Sequence, residues 1–310
     1  MRRAHILRAA AAALLAVQLC AAEVTAQQSG RGGAPEQHTA AAVTTEAAQA
    51  EARMHRLRGL EAYRAGRFAE AAREFEKAVR TWPDYAEGRN DLAMARTSLG
   101  EFGAAVELLE RAVRLQPERA EMQYNLGTAY YRAGRLAESV AALGEAVRLQ
   151  PRHPWAHANL GVSLYDLGRY EEAARSLGRA ADVQPGRAET HYLLALCHEQ
   201  AGRRAEAVES LAEAVRLRPD FAEAHNALGV AYFGDGRHGE AADAFRRAVE
   251  IKPDYAAARY NLGAASLARK RRDAAVEQYR ALRALDAGLA GKLHDGLFRG
   301  ALLDVSGRSQ

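Results

Sequence analysis

Three of the ten histidines, His157, His191 and His225, stand 34 residues apart, and His55 falls on the same ruler three intervals before His157. Imidazoles in register invite a metal reading, because neutral histidine is a common zinc ligand. Asparagines keep similar time. Asn125 and Asn159 are one interval apart, Asn261 lies three further on, and Asn90 and Asn226 sit one place off that line. An amide offers two donors and an acceptor oxygen, so a row of them can pair with a peptide backbone of any sequence. Tyr124, Tyr192 and Tyr260 share another line, and Tyr63, Tyr131, Tyr165 and Phe233 a third. Aromatics with a polar tip supply contact area at low entropic cost. The chemistry on offer is therefore metal ligation or recognition of an extended chain.

The interval belongs to the whole chain. Pro83, Pro117, Pro151, Pro185, Pro219 and Pro253 follow one another at 34 residues, leaving only Pro35 and Pro154 outside the ladder. A fixed period of this size marks stacked copies of one unit. With each proline at place 32, the copies run 52–85, 86–119, 120–153, 154–187, 188–221, 222–255 and 256–286. Place eight is small (Gly59, Ala93, Gly127, Gly161, Ala195, Gly229, Gly263), as is place twenty, which lets two helices approach to roughly 8–10 Å. Place fifteen is glycine from Gly66 to Gly236, then Lys270; glycine there ends a helix in the left-handed conformation. Apolar residues recur at helical spacing between that glycine and the proline, which stops the second helix. Asp84 and Asp220, each with a glutamate three residues on (Glu87, Glu223), read as capping boxes opening the next helix. Each unit is thus two helices around a tight turn.

This pattern resembles the tetratricopeptide repeat: 34 residues, Leu-Gly at places seven and eight, alanine at twenty, leucine or an aromatic at twenty-four and proline at thirty-two. The resemblance covers residues 52 to about 286 and implies an all-α fold, a right-handed solenoid superhelix of about seven helix–turn–helix repeats. Its ends depart from the pattern: Arg58 replaces the first leucine, and the last copy lacks the turn glycine and closing proline.

The resemblance also implies where a ligand lies. In that family the first helix of each copy lines a concave groove, and places two, five, six, nine, twelve and thirteen face a bound peptide. Carried onto this chain, the expected site is Asn90, Asn125, Asn159, Asn226 and Asn261 with Tyr124, Tyr131, Trp155, Tyr165, Tyr192, Phe233 and Tyr260. Glu87, Glu121, Glu189 and Glu223 share place two, which suits a basic partner or a helix N-terminus alike. The histidines share place four, which other copies fill with arginine or glutamine. Successive copies repeat at roughly 10 Å, too far for ligands that must each reach a zinc at ~2.0–2.1 Å. No metal or other cofactor is expected. The chain shows no phosphate loop, no cysteine pair at ligand spacing and no nucleophile with an evident base, so it reads as non-enzymatic.

The ends carry their own signals. MRRAHILR and the apolar run Ala9–Ala22 read as an export signal over residues 1–26, too short for a membrane span, with cleavage after Ala22 or Ala26. Bulky Leu19 argues against lipidation at Cys20. Cleavage at Ala26 removes three arginines and one glutamate, so net charge falls from +4 to +2, and a nucleic-acid role loses its support. The remaining cysteine, Cys197, reads as a buried small hydrophobe. Residues 27–40 read as a flexible leader, 41–51 as a helical cap and 287–310 as a final capping helix and tail. The expectation is an exported binding scaffold, periplasmic or secreted, that holds a protein or peptide partner and helps assemble an envelope or secreted complex. The alternatives are a self-associating structural protein and an accessory subunit of an enzyme complex.

Overall fold

The computed structural model describes residues 40–153 and 155–298. The export signal with both cleavage positions and Cys20, the leader up to residue 39 and the tail from residue 299 lie outside the described residues. Within them the fold is all-α, a solenoid of helix pairs. The first helices of the copies are α1 (Ala40–Arg64), α3 (Ala86–Ser98), α5 (Ala120–Arg132), α7 (Ala156–Asp166), α9 (Ala188–Gln200), α11 (Ala222–Gly234) and α13 (Ala256–Ala268). The second helices are α2 (Phe68–Thr81), α4 (Phe102–Leu115), α6 (Leu136–Leu149), α8 (Tyr170–Val183), α10 (Arg204–Leu217), α12 (His238–Ile251) and α14 (Arg272–Leu285), and α15 (Ala287–Phe298) closes the series. The cap expected over 41–51 is the first half of α1, which runs unbroken into the first copy.

The chain divides into two compact units between Arg169 and Tyr170, inside the fourth copy. In the first, α1 to α7 stack in sequence; in the second, α8 to α15 do the same, with α15 against both α13 and α14. No helix among the described residues is long and apolar enough to cross a membrane.

Each periodic residue has a local task. Six turn glycines, Gly66 to Gly236, lie at φ of +72° to +82°, the region only glycine enters without strain. The next residue's N–H then reaches back to the carbonyl four residues before the glycine, as from Arg67 to Ala62 at 2.9 Å. Lys270 holds the same place in the last copy at φ +59°. At the other end of the unit, Trp82, Gln116, Gln150, Arg218 and Lys252 precede the prolines, and all leave the helical region (Trp82 at φ −129°, ψ 91°), as proline requires of its predecessor. Place eight meets place twenty-four: a Cβ on Gly59 or Gly229 would stand 2.5 or 2.6 Å from the rings of Phe75 and Phe245.

One expectation needs correction. The capping boxes do not form: α3 and α11 start after Tyr85 and Phe221, and neither N-cap is bonded by a side chain. Glu87 turns instead to Gln116 Nε2 at 3.3 Å, and Glu223 lies 3.7 Å from Lys252 Nζ. Two other helix entries do receive a side chain: at α7 His153 Nδ1 accepts from the N–H groups of Trp155 (3.3 Å) and Ala156 (3.1 Å), and at α15 Asp286 Oδ1 accepts from those of Gly288 (2.9 Å) and Leu289 (3.0 Å). Burial and the charge of nearby His157 hold the His153 imidazole below its ordinary pKa, in keeping with an acceptor role.

Candidate functional site

Within each unit, neighbouring first helices meet one residue out of register, so place five of one copy bonds place six of the next, 35 residues on. In the first unit this offset builds three rungs. Arg56 Nε donates to Asp91 Oδ2 at 2.5 Å, Asn125 Nδ2 to Asn90 Oδ1 at 2.8 Å, and Asn159 Nδ2 to the hydroxyls of Tyr124 (3.3 Å) and Thr128 (3.2 Å). In the second unit Asn261 Nδ2 donates to Asn226 Oδ1 at 2.9 Å. Two turns along the same helices the offset recurs: Tyr131 donates to Asp166 Oδ2 at 2.8 Å, and the Tyr63 hydroxyl meets Ser98 Oγ at 3.2 Å.

These contacts bring together what the sequence had kept apart. Asn90 and Asn226 lie one place off the asparagine column because they are the acceptors of the residues on it. Arg56, Asp91, Ser98 and Asp166 complete the rungs, and an interval of 35 set beside that of 34 is the signal that finds them; Thr128, 31 residues before Asn159, is found by packing alone. Burial pushes the Asp91 carboxyl above its ordinary range, against the pull of Arg56.

The rungs also sort the candidate residues by access. Asn90, Asn159 and Asn261 are buried, while Asn125 and Asn226 are half-buried. A rung uses one N–H of its donor and one lone pair of its acceptor, and an amide offers more than that. Tyr124, Tyr131, Trp155, Tyr165 and Phe233 are half-buried. Tyr192 and Tyr260 are not on an open face: Tyr192 is buried with its ring 5.0 Å from that of Phe221, and Tyr260 packs in the core with Leu293 and Leu297 of α15. Phe233 also lies partly against the core around Phe245, with its ring 4.7 Å from His238.

Two columns of charge are accounted for within the fold. Three of the four place-two glutamates meet place thirty-one of their own copy, Glu189 with Arg218 at 2.7 Å, Glu87 with Gln116 at 3.3 Å and Glu223 near Lys252 at 3.7 Å. The place-four histidines hold the proline carbonyl of the preceding helix end, His157 to Pro151 at 2.9 Å and His191 and His225 to Pro185 and Pro219 at 3.0 Å. Arg259 does the same for Pro253 at 2.7 Å, which explains why arginine replaces histidine there. His55, with no copy before it, bonds Glu74 at 2.8 Å. Among the described residues no three metal-ligating side chains gather. Cys197 is fully buried, and burial pushes its thiol up to about 12, which keeps it from acting as a nucleophile.

Known proteins resemble this chain along its length. Tetratricopeptide repeat models match residues 56–101, 90–154, 158–220 and 199–256, and a second such model matches 232–292. Among solved structures it is similar to MamA of Desulfovibrio magneticus RS-1, at 23% identity over 55% of this chain and 96% of that one, TM-score 0.52. It is similar to YrrB, described as a TPR protein with an unusual peptide-binding site, at 23% identity over 58% and 93%, TM-score 0.53. PilF of Pseudomonas aeruginosa aligns at 18% identity over 67% and 96%, TM-score 0.57. At these identities the likeness shows the fold alone. No curated protein matches the chain. The matched repeats span most of the sequence, and the chain belongs to the tetratricopeptide repeat family.

Proposed function

We propose that this protein is a non-catalytic scaffold that holds an extended peptide or partner segment along the faces of its first helices. The observation that carries this reading is the series of rungs. Each fixes the orientation of an amide or hydroxyl before any ligand arrives, and a polar group already held in place loses little entropy when it binds. Half-buried Asn125 in the first unit and Asn226 in the second have amide capacity beyond their rungs, suited to the backbone of a chain of any sequence. Tyr124, Tyr131, Trp155 and Tyr165 beside Asn125, and Phe233 beside Asn226, would select side chains. The relative with a peptide-binding site supports the class of ligand by analogy of fold.

We further propose that the chain is exported and serves an envelope or secreted assembly. The support is the basic start followed by the apolar run Ala9–Ala22, with cleavage positions after Ala22 or Ala26. Mass spectrometry of the N-terminus after expression in a Gram-negative host tests this: a chain beginning at Met1 rules it out.

Selection of extended peptides from a random display library tests the binding role. Enriched peptides should bind with dissociation constants that rise at least about tenfold in Asn125→Ala or Asn226→Ala, a loss of about 1.4 kcal/mol. Undiminished binding by both variants sinks the groove reading.

A further inference from the structure

The repeat register shows which surfaces a stacked copy must cover. Places three, seven and ten of a first helix pack on the copy before: Met122 on Ala112, Leu92 and Ala95 on Phe75, Leu126 and Ala129 on Leu109, Leu262 and Ala265 on Phe245. Place six takes the rung. In the first copy these places are Met54, Leu57, Arg58 and Glu61, and no copy precedes them. Met54 is 54% exposed and Leu57 is 61% exposed. The other end of the series is finished differently, because α15 lays Leu293 and Leu297 against the last copy and Leu293 fills the notch left by Gly263.

The open edge has an order of its own. Ala47, Ala50, Met54, Leu57, Glu61 and Arg64 follow at alternating intervals of three and four along α1, and all are exposed. That is the spacing of a coiled-coil seam. Glu51 and Arg58, also exposed, flank it on one side, one heptad apart. Two such helices laid antiparallel about a two-fold axis between Met54 and Leu57 set each Met54 against Leu57 of the second copy. The same axis sets Glu51 against Arg58 twice.

We infer that α1 is the seam of a symmetric dimer formed with a second copy of this chain. Residues 27–39, QQSGRGGAPEQHT, contain no large apolar side chain with which to cover Met54 and Leu57. A two-fold contact between like edges is self-complementary and closes. About five turns of helix make a small interface, so the dimer is a weak one, dissociating in the micromolar range. This inference concerns the edge of the stack and stands apart from the groove reading.

Sedimentation velocity of the full chain between about 1 and 100 μM, the range in which a small interface dissociates, tests it. The wild type should pass from monomer to dimer. Met54→Glu with Leu57→Glu should raise the dissociation constant at least about 100-fold while leaving the helical circular dichroism unchanged, because both side chains are exposed. Glu51→Arg should weaken the dimer, and adding Arg58→Glu should restore it. A wild type that stays monomeric throughout overturns the proposal, whether its own residues 1–26 cover the edge or nothing does. So does a dimer that survives the double glutamate variant, or one that the charge exchange fails to restore.

Discussion

Asn125 donates its amide N–H to the side-chain oxygen of Asn90 across 2.8 Å, from one repeat to the one before it. A column of asparagines on a repeat protein reads most simply as a row of free hands. Here each hand already holds a neighbour's side chain, and the offset of one residue between successive first helices is what lets it do so.

Asn125→Ala should therefore destabilise the fold as well as any complex. It removes the donor to a buried oxygen, at a cost of about 1–2 kcal/mol in denaturant unfolding. In Asn90→Ala with Asn125→Ala, part of that cost should return, because the orphaned Asn90 oxygen is gone, less what Asp91 Oδ1 loses with the 3.4 Å bond from Asn90 Nδ2. Strict additivity of the two single changes would show that the rung contributes nothing.

Gly229 lies under Phe245 with no room for a Cβ, which would stand 2.6 Å from the ring. Gly229→Ala should lower stability by about 1–3 kcal/mol, the usual cost of overpacking. Adding Phe245→Leu should recover much of that loss, since the second copy already places Ala93 against Leu109 in the same packed cluster. Thermal unfolding of the three proteins gives the answer.

Lys270 occupies at φ +59° the turn place that six glycines hold elsewhere. A side chain in that region costs roughly 1–2 kcal/mol, and glycine returns part of that through its looser unfolded state. Lys270→Gly should raise stability by about 1 kcal/mol in urea unfolding. A loss of stability would mean that the lysine side chain contributes more than its backbone costs.

His153 makes stability depend on pH. Its imidazole is held below the ordinary value of about 6.5, chiefly by burial, and its Nδ1 accepts two N–H groups at the start of α7. Below about pH 6.5 the unfolded chain takes up the proton first, so stability falls as pH falls and is fully present above that value. Burial lowers His198 and His225 in the same direction, so the slope is shared. His153→Asn keeps an acceptor for the helix entry without a titrating ring and should flatten the slope measured by urea unfolding from pH 7 to pH 5.

Much of this architecture was legible in the sequence, because prolines, turn glycines and small residues each answer to a local rule. Gly66 and Pro83 need no knowledge of their neighbours to end their helices. The rungs were harder to read. Asn90 and Asn125 are ordinary polar residues until two helices lie side by side, and the slip of one residue between copies is a property of packing. The same holds for the capping boxes, where Glu87 found a better partner in Gln116 than in the backbone behind it. Tyr192 and Tyr260 share a column with Tyr124, yet Phe221 and α15 bury them, and periodicity alone does not distinguish the members of a column.

The central claim is that ligand lies along the first helices. Hydrogen–deuterium exchange of the full chain, with and without a peptide selected from a random library, tests it most directly. Protection confined to first helices, α3, α5 and α7 or α11 and α13, is the predicted result. Protection on the second helices α4, α6 and α12, with the first helices unchanged, would contradict it.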